Sequence, residues 1–302
     1  MTNPLLNDFK QKIKNGNPIT RLIIFNAAVF LVISIFRILT FLSGEATLLH
    51  SIEAFLQKAL ALPISFPLLA HRPWTLITYM FTHVALMHIF WNMITLYWFG
   101  EILSQYTSNK KIIPLYILGG IAGALITILL ITFIPALQIY IGAPLIGASA
   151  GVTAIIIAAA TLVPEVKMNM LFIGPVKLLY VALFVVFIDV LSVASYDNVG
   201  GNLAHLGGAI MGFVFIVQYK KGRDMAAPFN RFFGWIGNLF GSTPKSKLKV
   251  AYTKKMSDED YNYNKKVEQE VIDRILDKIS KSGYDSLSKT EKDLLFKASG
   301  KK

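Results

Sequence analysis

Two side chains in this chain could share one reaction. Ser149 stands in Gly147-Ala148-Ser149-Ala150-Gly151, at the head of an apolar run, and His205 lies inside another, in Ala204-His205-Leu206-Gly207-Gly208-Ala209-Ile210-Met211-Gly212. An imidazole can take the proton of a hydroxyl as its oxygen attacks an acyl carbon, then return that proton to the leaving group. Such groups are costly among lipid-facing helices, so their presence there is a functional hypothesis by default. Hydrolysis of a peptide bond within a membrane is the chemistry the pair could perform.

A second set could complete it. The stretch His83-Val84-Ala85-Leu86-Met87-His88-Ile89-Phe90-Trp91-Asn92 holds two of the five histidines, the others being His50, His71 and His205. His88 and Asn92 are four apart and so share one helix face. Neutral donors suit an anion that exists only in the transition state. Ser149 opens a helix, where backbone N–H groups lack intrahelical acceptors and the helix dipole adds positive potential. Ser149 N–H, His88 and Asn92 could together hold a tetrahedral oxyanion, and Gly147, Ala148 and Ala150 leave room for a substrate backbone.

The elements that must position these groups are apolar helices. Of the 302 residues 54% are hydrophobic and 16% charged, against about a quarter charged in soluble domains, so an integral membrane protein is expected. Six apolar segments can be read near 21–42, 86–106, 112–134, 149–163, 177–195 and 203–219, where about 20 residues cross a bilayer. The first is too long for a signal-peptide core and lacks a small-residue cleavage site. The fold class is all-α: a polytopic six-helix bundle with a small helical C-terminal extension. The net charge of +12 gathers beside the apolar runs, at Lys10, Lys12, Lys14 and Arg21, at Lys110 and Lys111, at Lys167 and Lys177, and at Lys220, Lys221 and Arg223. Basic loops alternate with loops poor in charge, which puts both termini in the cytoplasm. This distribution meets lipid headgroups rather than nucleic acid. Zero cysteines exclude disulfides, thiolate catalysis and Cys-ligated metals.

Between Ser149 and Pro164 only about fifteen residues are available, roughly 22 Å of helix against a core of about 30 Å. The helix therefore starts below the outer surface, and the uncharged 135–146 stretch must descend to it, buried in protein or lining a water-filled cavity. Gly208 and Gly212 form a small-residue ridge that, packed on Ala150, Gly151 and Ala154, brings His205 to Ser149. No carboxylate is placed to orient His205, which implies a dyad. Asp189 is expected to be structural, bonded to neighbouring backbone or hydroxyl groups, and Arg37 to snorkel outward. In the 43–85 loop, Leu49, Ile52, Phe55, Leu56 and Leu60 recur at helical spacing, as in an interfacial amphipathic helix.

The domains expected are a cytosolic segment at 1–20, a six-span core at 21–219, a linker at 220–262 and a helical extension at 263–302. In the last, Val267, Val271, Ile275 and Ile279, with Ile272 and Leu276, form one stripe that Gly283 ends. Ser288 and Glu291 read as a capping box for a short helix with Leu294, Leu295 and Phe296. The extension pairs with itself as a hairpin or with a cytosolic partner.

The chain resembles a bacterial six-span rhomboid intramembrane serine protease. The resemblance rests on HxxxxHxxxN at His83, His88 and Asn92, the GxSxG-like box at Gly147–Gly151, and AHxxGxxxG at Ala204–Gly212, in that order along residues 20–220. It implies cleavage of single-span proteins in or near their membrane segments, without metal or cofactor, in the cell membrane. It also implies Ser149 as nucleophile, His205 as base, His88 and Asn92 as oxyanion stabilisers, and His83 as a structural group bonding the long first loop. One departure stands out: family members often carry Trp-Arg in that loop, and here Thr75 follows Trp74.

Taken singly, each motif has a plainer reading. Small residues around Ser149 make packing ridges, a lone membrane histidine is usually structural, and a His/Asn pair can bridge helices. A non-catalytic relative that escorts membrane clients is the main alternative, and it is disfavoured by the presence of both Ser149 and His205. A transporter would need inverted repeats, a metalloprotease H-E-x-x-H, and an aspartyl protease a second intramembrane aspartate besides Asp189.

Overall fold

The computed structural model describes residues 16–43, 48–170, 173–195, 198–240 and 258–299. The basic cluster expected at Lys10, Lys12 and Lys14 lies outside them. Two compact units divide the chain, Met1–Gly241 and Ser242–Lys302.

In the first unit the helices are α1 (Pro18–Ser43), α2 (Leu48–Leu60), α3 (Phe66–His71), α4 (Thr75–Thr78), α5 (Leu86–Tyr106), α6 (Ile112–Phe133), α7 (Ser149–Leu162), α8 (Leu178–Val193), α9 (Val199–Lys220) and α10 (Ala227–Phe240). Each apolar segment read from the sequence falls on one of α1, α5, α6, α7, α8 and α9. Of these, α1, α9 and the helical stretch containing α6 are long and apolar enough to cross a membrane, and α7 and α8 are shorter apolar helices. The protein is a helical polytopic membrane protein. Its outer faces fit that solvent: Leu31, Val32 and Ile35 on α1, and Leu183, Phe184 and Phe187 on α8, are all exposed. Water would not tolerate so much contiguous apolar surface.

The core forms where small residues let backbones close. A Cβ at Gly208 would lie 2.1 Å from the Ala150 carbonyl oxygen, and one at Gly212 would lie 2.3 Å from that of Ala154. Gly119 and Gly123 of α6 close the third side, the first against the Ala154 Cβ and the second against the Ala204 carbonyl and the Ala150 Cβ. Gly151, expected in the α7–α9 seam, faces Tyr116 of α6 instead.

Contacts gather the basic ends at one end of this bundle. Lys220 Nζ donates to the Thr161 carbonyl at 2.7 Å. Lys111 pairs with Asp224 at 2.9 Å, holding that carboxyl below its ordinary range, and Asn230 donates to the Lys110 carbonyl. With its C-terminal end beside that of α9, α7 has 14 residues where α9 has 22. It therefore starts about 12 Å short of the other end of α9, and Ser149 is recessed by that amount.

The 43–85 stretch holds α2, as its periodicity predicts, and is tied down by Trp74. Its indole donates to the Ala59 carbonyl at 2.9 Å, and Thr78 Oγ1 donates to Leu60 at 2.8 Å. Arg72, two residues before Trp74, donates to Lys58 at 2.5 Å. An arginine thus anchors this loop from the other side of the tryptophan. Buried Thr75 closes a local turn on the Arg72 carbonyl at 2.6 Å. Arg37 does not simply snorkel, since it donates to the Val84 carbonyl.

The segment before α7 descends as a 3₁₀ turn (Pro135–Tyr140) and a short strand, β2 (Pro144–Leu145), which pairs antiparallel with β1 (Leu62–Pro63). A hairpin of β3 (Lys167–Met170) and β4 (Gly174–Lys177) fills the loop between α7 and α8, where the sequence suggested only a basic loop. A second correction concerns the linker expected at 220–262, which carries α10. Its Phe232, Phe233 and Trp235 are exposed on an amphipathic helix.

In the second unit α11 (Asp258–Ser282) and α12 (Lys289–Ser299) form a hairpin through Gly283, whose φ of +78° ends α11. The capping box is present: the Ser288 N–H donates to Glu291 Oε2 at 2.7 Å, and the Glu291 N–H donates to Ser288 Oγ at 3.3 Å. These bonds and Lys278 hold the Glu291 carboxyl down at about 2. Ile275 and Leu287 are buried, Val271, Ile272 and Ile279 are half-buried, and Leu276 is exposed. The side chains of Val267 and Phe296 lie outside the described residues.

Candidate active site

Gly147 sets the approach to Ser149. Its φ of +118° belongs to the region that favours glycine, and its N–H donates to the Tyr79 carbonyl at 2.9 Å. A Cβ there would stand 2.7 Å from His88 Cε1 and 3.0 Å from Nε2. The His88 ring therefore lies directly against the backbone two residues before Ser149. The next residue, Ala148, is held from the same side: its N–H donates to Nε2 of fully buried His83 at 3.2 Å. His83 and His88 meet edge to face, with ring centroids 5.1 Å apart. His83 thus bonds the turn that presents Ser149.

Asn92 follows His88 by one turn of α5, and its side-chain N–H donates to the His88 carbonyl at 2.8 Å. A primary amide carries two N–H groups, which leaves one for a ligand. Asn92 is buried, whereas Ser149 is half-buried. The two line one cavity of about 170 Å³ with Trp91, Thr95, Val152, Thr153 and Ile156. That cavity runs along the seam of α5 and α7. A larger cavity of about 750 Å³, lined by Arg72, Thr82, Val84, Gly142 and Ile146 among others, lies between the first loop and the descending segment.

His205 comes to the same level on α9. The Gly208–Ala150 and Gly212–Ala154 contacts keep one register, so α7 and α9 run parallel. One turn before Gly208, His205 stands level with residues 147–149 and is half-buried. Its Nδ1 lies 2.7 Å from Asp189 Oδ1 of α8. This corrects two expectations: a carboxylate is placed on His205, and Asp189 bonds a histidine rather than backbone or hydroxyl. Both residues could be read singly as polar groups in apolar helices, but their meeting depends on how α8 and α9 are rotated. Among the described residues no cluster of three or more His, Cys, Asp or Glu could hold a metal.

Comparison with known proteins decides the family. Residues 70–221, half of the chain, match the Rhomboid domain. The chain belongs to the rhomboid family. It is 29% identical over 159 residues to RHOMBOID-like protein 12, mitochondrial, of Arabidopsis thaliana, covering 49% of this chain and 47% of that protein. To RHOMBOID-like protein 1 of the same plant it is 28% identical over 183 residues, 59% of this chain and 43% of that one. The chain thus spans less than half the length of the curated relatives it matches. All the site residues above fall within the rhomboid match. Residues 256–301 match a separate family of unknown function (DUF6576), which contains the α11–α12 hairpin.

Proposed function

We propose that this rhomboid is an intramembrane serine endopeptidase that cuts transmembrane proteins in or beside their spans. The observation that supports the reading is the level of the parts: the Gly147 turn lies against the His88 ring, Ser149 and Asn92 line one cavity, and the α7–α9 register sets His205 level with residues 147–149. Ser149 Oγ is the nucleophile and His205 the general base. The Ser149 N–H, His88 and Asn92 receive the oxyanion, and His83, Gly147, Gly208 and Gly212 hold the parts in place. No cofactor or metal enters this scheme. In this reading six spans cross the cell membrane with both termini cytoplasmic, an orientation that the basic residues gathered at one end of the bundle support. The α11–α12 hairpin is then cytosolic and free to meet a partner there.

The test is co-reconstitution of the full chain with a single-span protein in vesicles containing a strong chelator. Cleavage in or near the span is expected. A client that is bound and never cut, under all substrates tried, favours the escort reading. If the amide of Asn92 donates to the oxyanion, Asn92→Ala should lower kcat by about 10²–10³-fold, measured by initial rates in the same vesicles. An unchanged kcat would remove Asn92 from the oxyanion site.

A further inference from the structure

Asp189 is an acid in an otherwise uncharged helix, α8, and burial of a carboxylate in such a place is costly unless it is paired. Its side chain is only 9% exposed, and its Oδ1 lies 2.7 Å from His205 Nδ1. Its Oδ2 is buried and has no hydrogen-bond partner among the described residues. A carboxylate serving only to fasten helices would be expected to use both oxygens, on backbone N–H or hydroxyl groups. Here the compensation comes from one imidazole nitrogen, and that imidazole belongs to the proposed base.

We propose that Asp189 is a positioning residue for His205, so that the site works as a Ser149–His205–Asp189 triad rather than a dyad. This rests on the reading of Ser149 and His205 given above. A carboxylate accepts hydrogen bonds and donates none, so the contact keeps the imidazole proton on Nδ1 and leaves the Nε2 lone pair to take the Ser149 proton. As the Ser149 O–H bond breaks, its proton passes to Nε2 and Oγ bonds to the substrate carbonyl carbon. The carbonyl π electrons move onto the oxygen, which becomes the oxyanion. The imidazolium then carries its charge beside the Asp189 carboxylate. Collapse of the intermediate breaks the C–N bond, and the Nε2 proton goes to the leaving amine. An acyl-enzyme remains for water to hydrolyse with the same base.

Asp189→Asn tests the proposal in the full chain. The asparagine keeps the shape, but its amide can donate to Nδ1 and so place the imidazole proton on Nε2, where it blocks base catalysis. The expected result is a fall of about 10²–10⁴-fold in kcat, with KM and melting temperature unchanged and fluorophosphonate labelling slowed in parallel. An unchanged kcat overturns the proposal. So does a loss of activity that moves with KM or with the melting temperature, since a purely structural aspartate would act that way. If Asp189→Asn does not accumulate folded, Asp189→Ala is read by the same split, and failure of both to fold overturns the proposal in favour of a structural role. The underlying reading fails separately: a wild-type chain that neither cleaves substrate nor labels on Ser149 refutes that reading. An active wild type beside a fully active Asp189→Asn refutes the triad alone.

Discussion

Ser149→Ala should abolish substrate cleavage, His205→Ala should come close to abolishing it, and the double variant should lose no more than the worse single. A nucleophile and its base act as one unit. Without the base the hydroxyl is a poor attacker at neutral pH, and without the hydroxyl the base has no proton to take. Losses of about 10⁴–10⁶-fold in kcat are the range for removing either partner of such a unit, and they do not add. Initial rates of the four chains in vesicles, with protein folding checked by melting curves, form a complete double-mutant cycle. Strictly additive losses, or a His205→Ala chain as fast as wild type, would mean that the two side chains do not act together. The positions of both residues make the expectation specific, because the parallel α7–α9 packing sets His205 level with the turn that presents Ser149.

Gly208→Val should lower both stability and activity, since it attacks that packing directly. The added Cβ would lie 2.1 Å from the Ala150 carbonyl oxygen, a backbone atom that no rotamer change can move away. Overpacking of this kind costs about 1–3 kcal/mol, and a rigid backbone neighbour belongs at the upper end. The helices must part, and a displacement of about 1 Å between nucleophile and base can cost about 10²-fold in rate. Gly234→Ala on α10 is the control, because its Cβ would meet nothing within 4 Å. Loss of activity and a lower melting temperature are expected for Gly208→Val, with neither for Gly234→Ala. A Gly208→Val chain as stable and active as wild type would show that α7 and α9 do not need their close approach.

Much of the candidate site could be read from the chain because its parts are local. The start of α7 at Ser149 and its shortness follow from the distance to Pro164. The shared face of His88 and Asn92 follows from their spacing, and the contacts of Gly208 and Gly212 follow from small residues four apart. The Ser288–Glu291 cap is likewise written within four residues. What escaped was set by contacts between distant segments. The Asp189–His205 contact needs the rotation of two helices about their axes, which near-uniformly apolar runs such as α8 do not encode. The first loop is the partner that the family resemblance implies for His83, while the Ala148 N–H that donates to its ring lies 65 residues away. The β3–β4 hairpin has strands of four residues each, too short for alternation to stand out. Helix α10 was hidden by Gly234 and Gly237 within its aromatic face, both poor helix formers.

The most direct measurement is the site of covalent modification after the membrane-embedded chain is treated with a fluorophosphonate and mapped by mass spectrometry. A single adduct on Ser149 Oγ, lost in Ser149→Ala and strongly slowed in His205→Ala, is the predicted outcome. An adduct on another residue, or labelling that persists undiminished in Ser149→Ala, would contradict the assignment of this site as a serine protease centre.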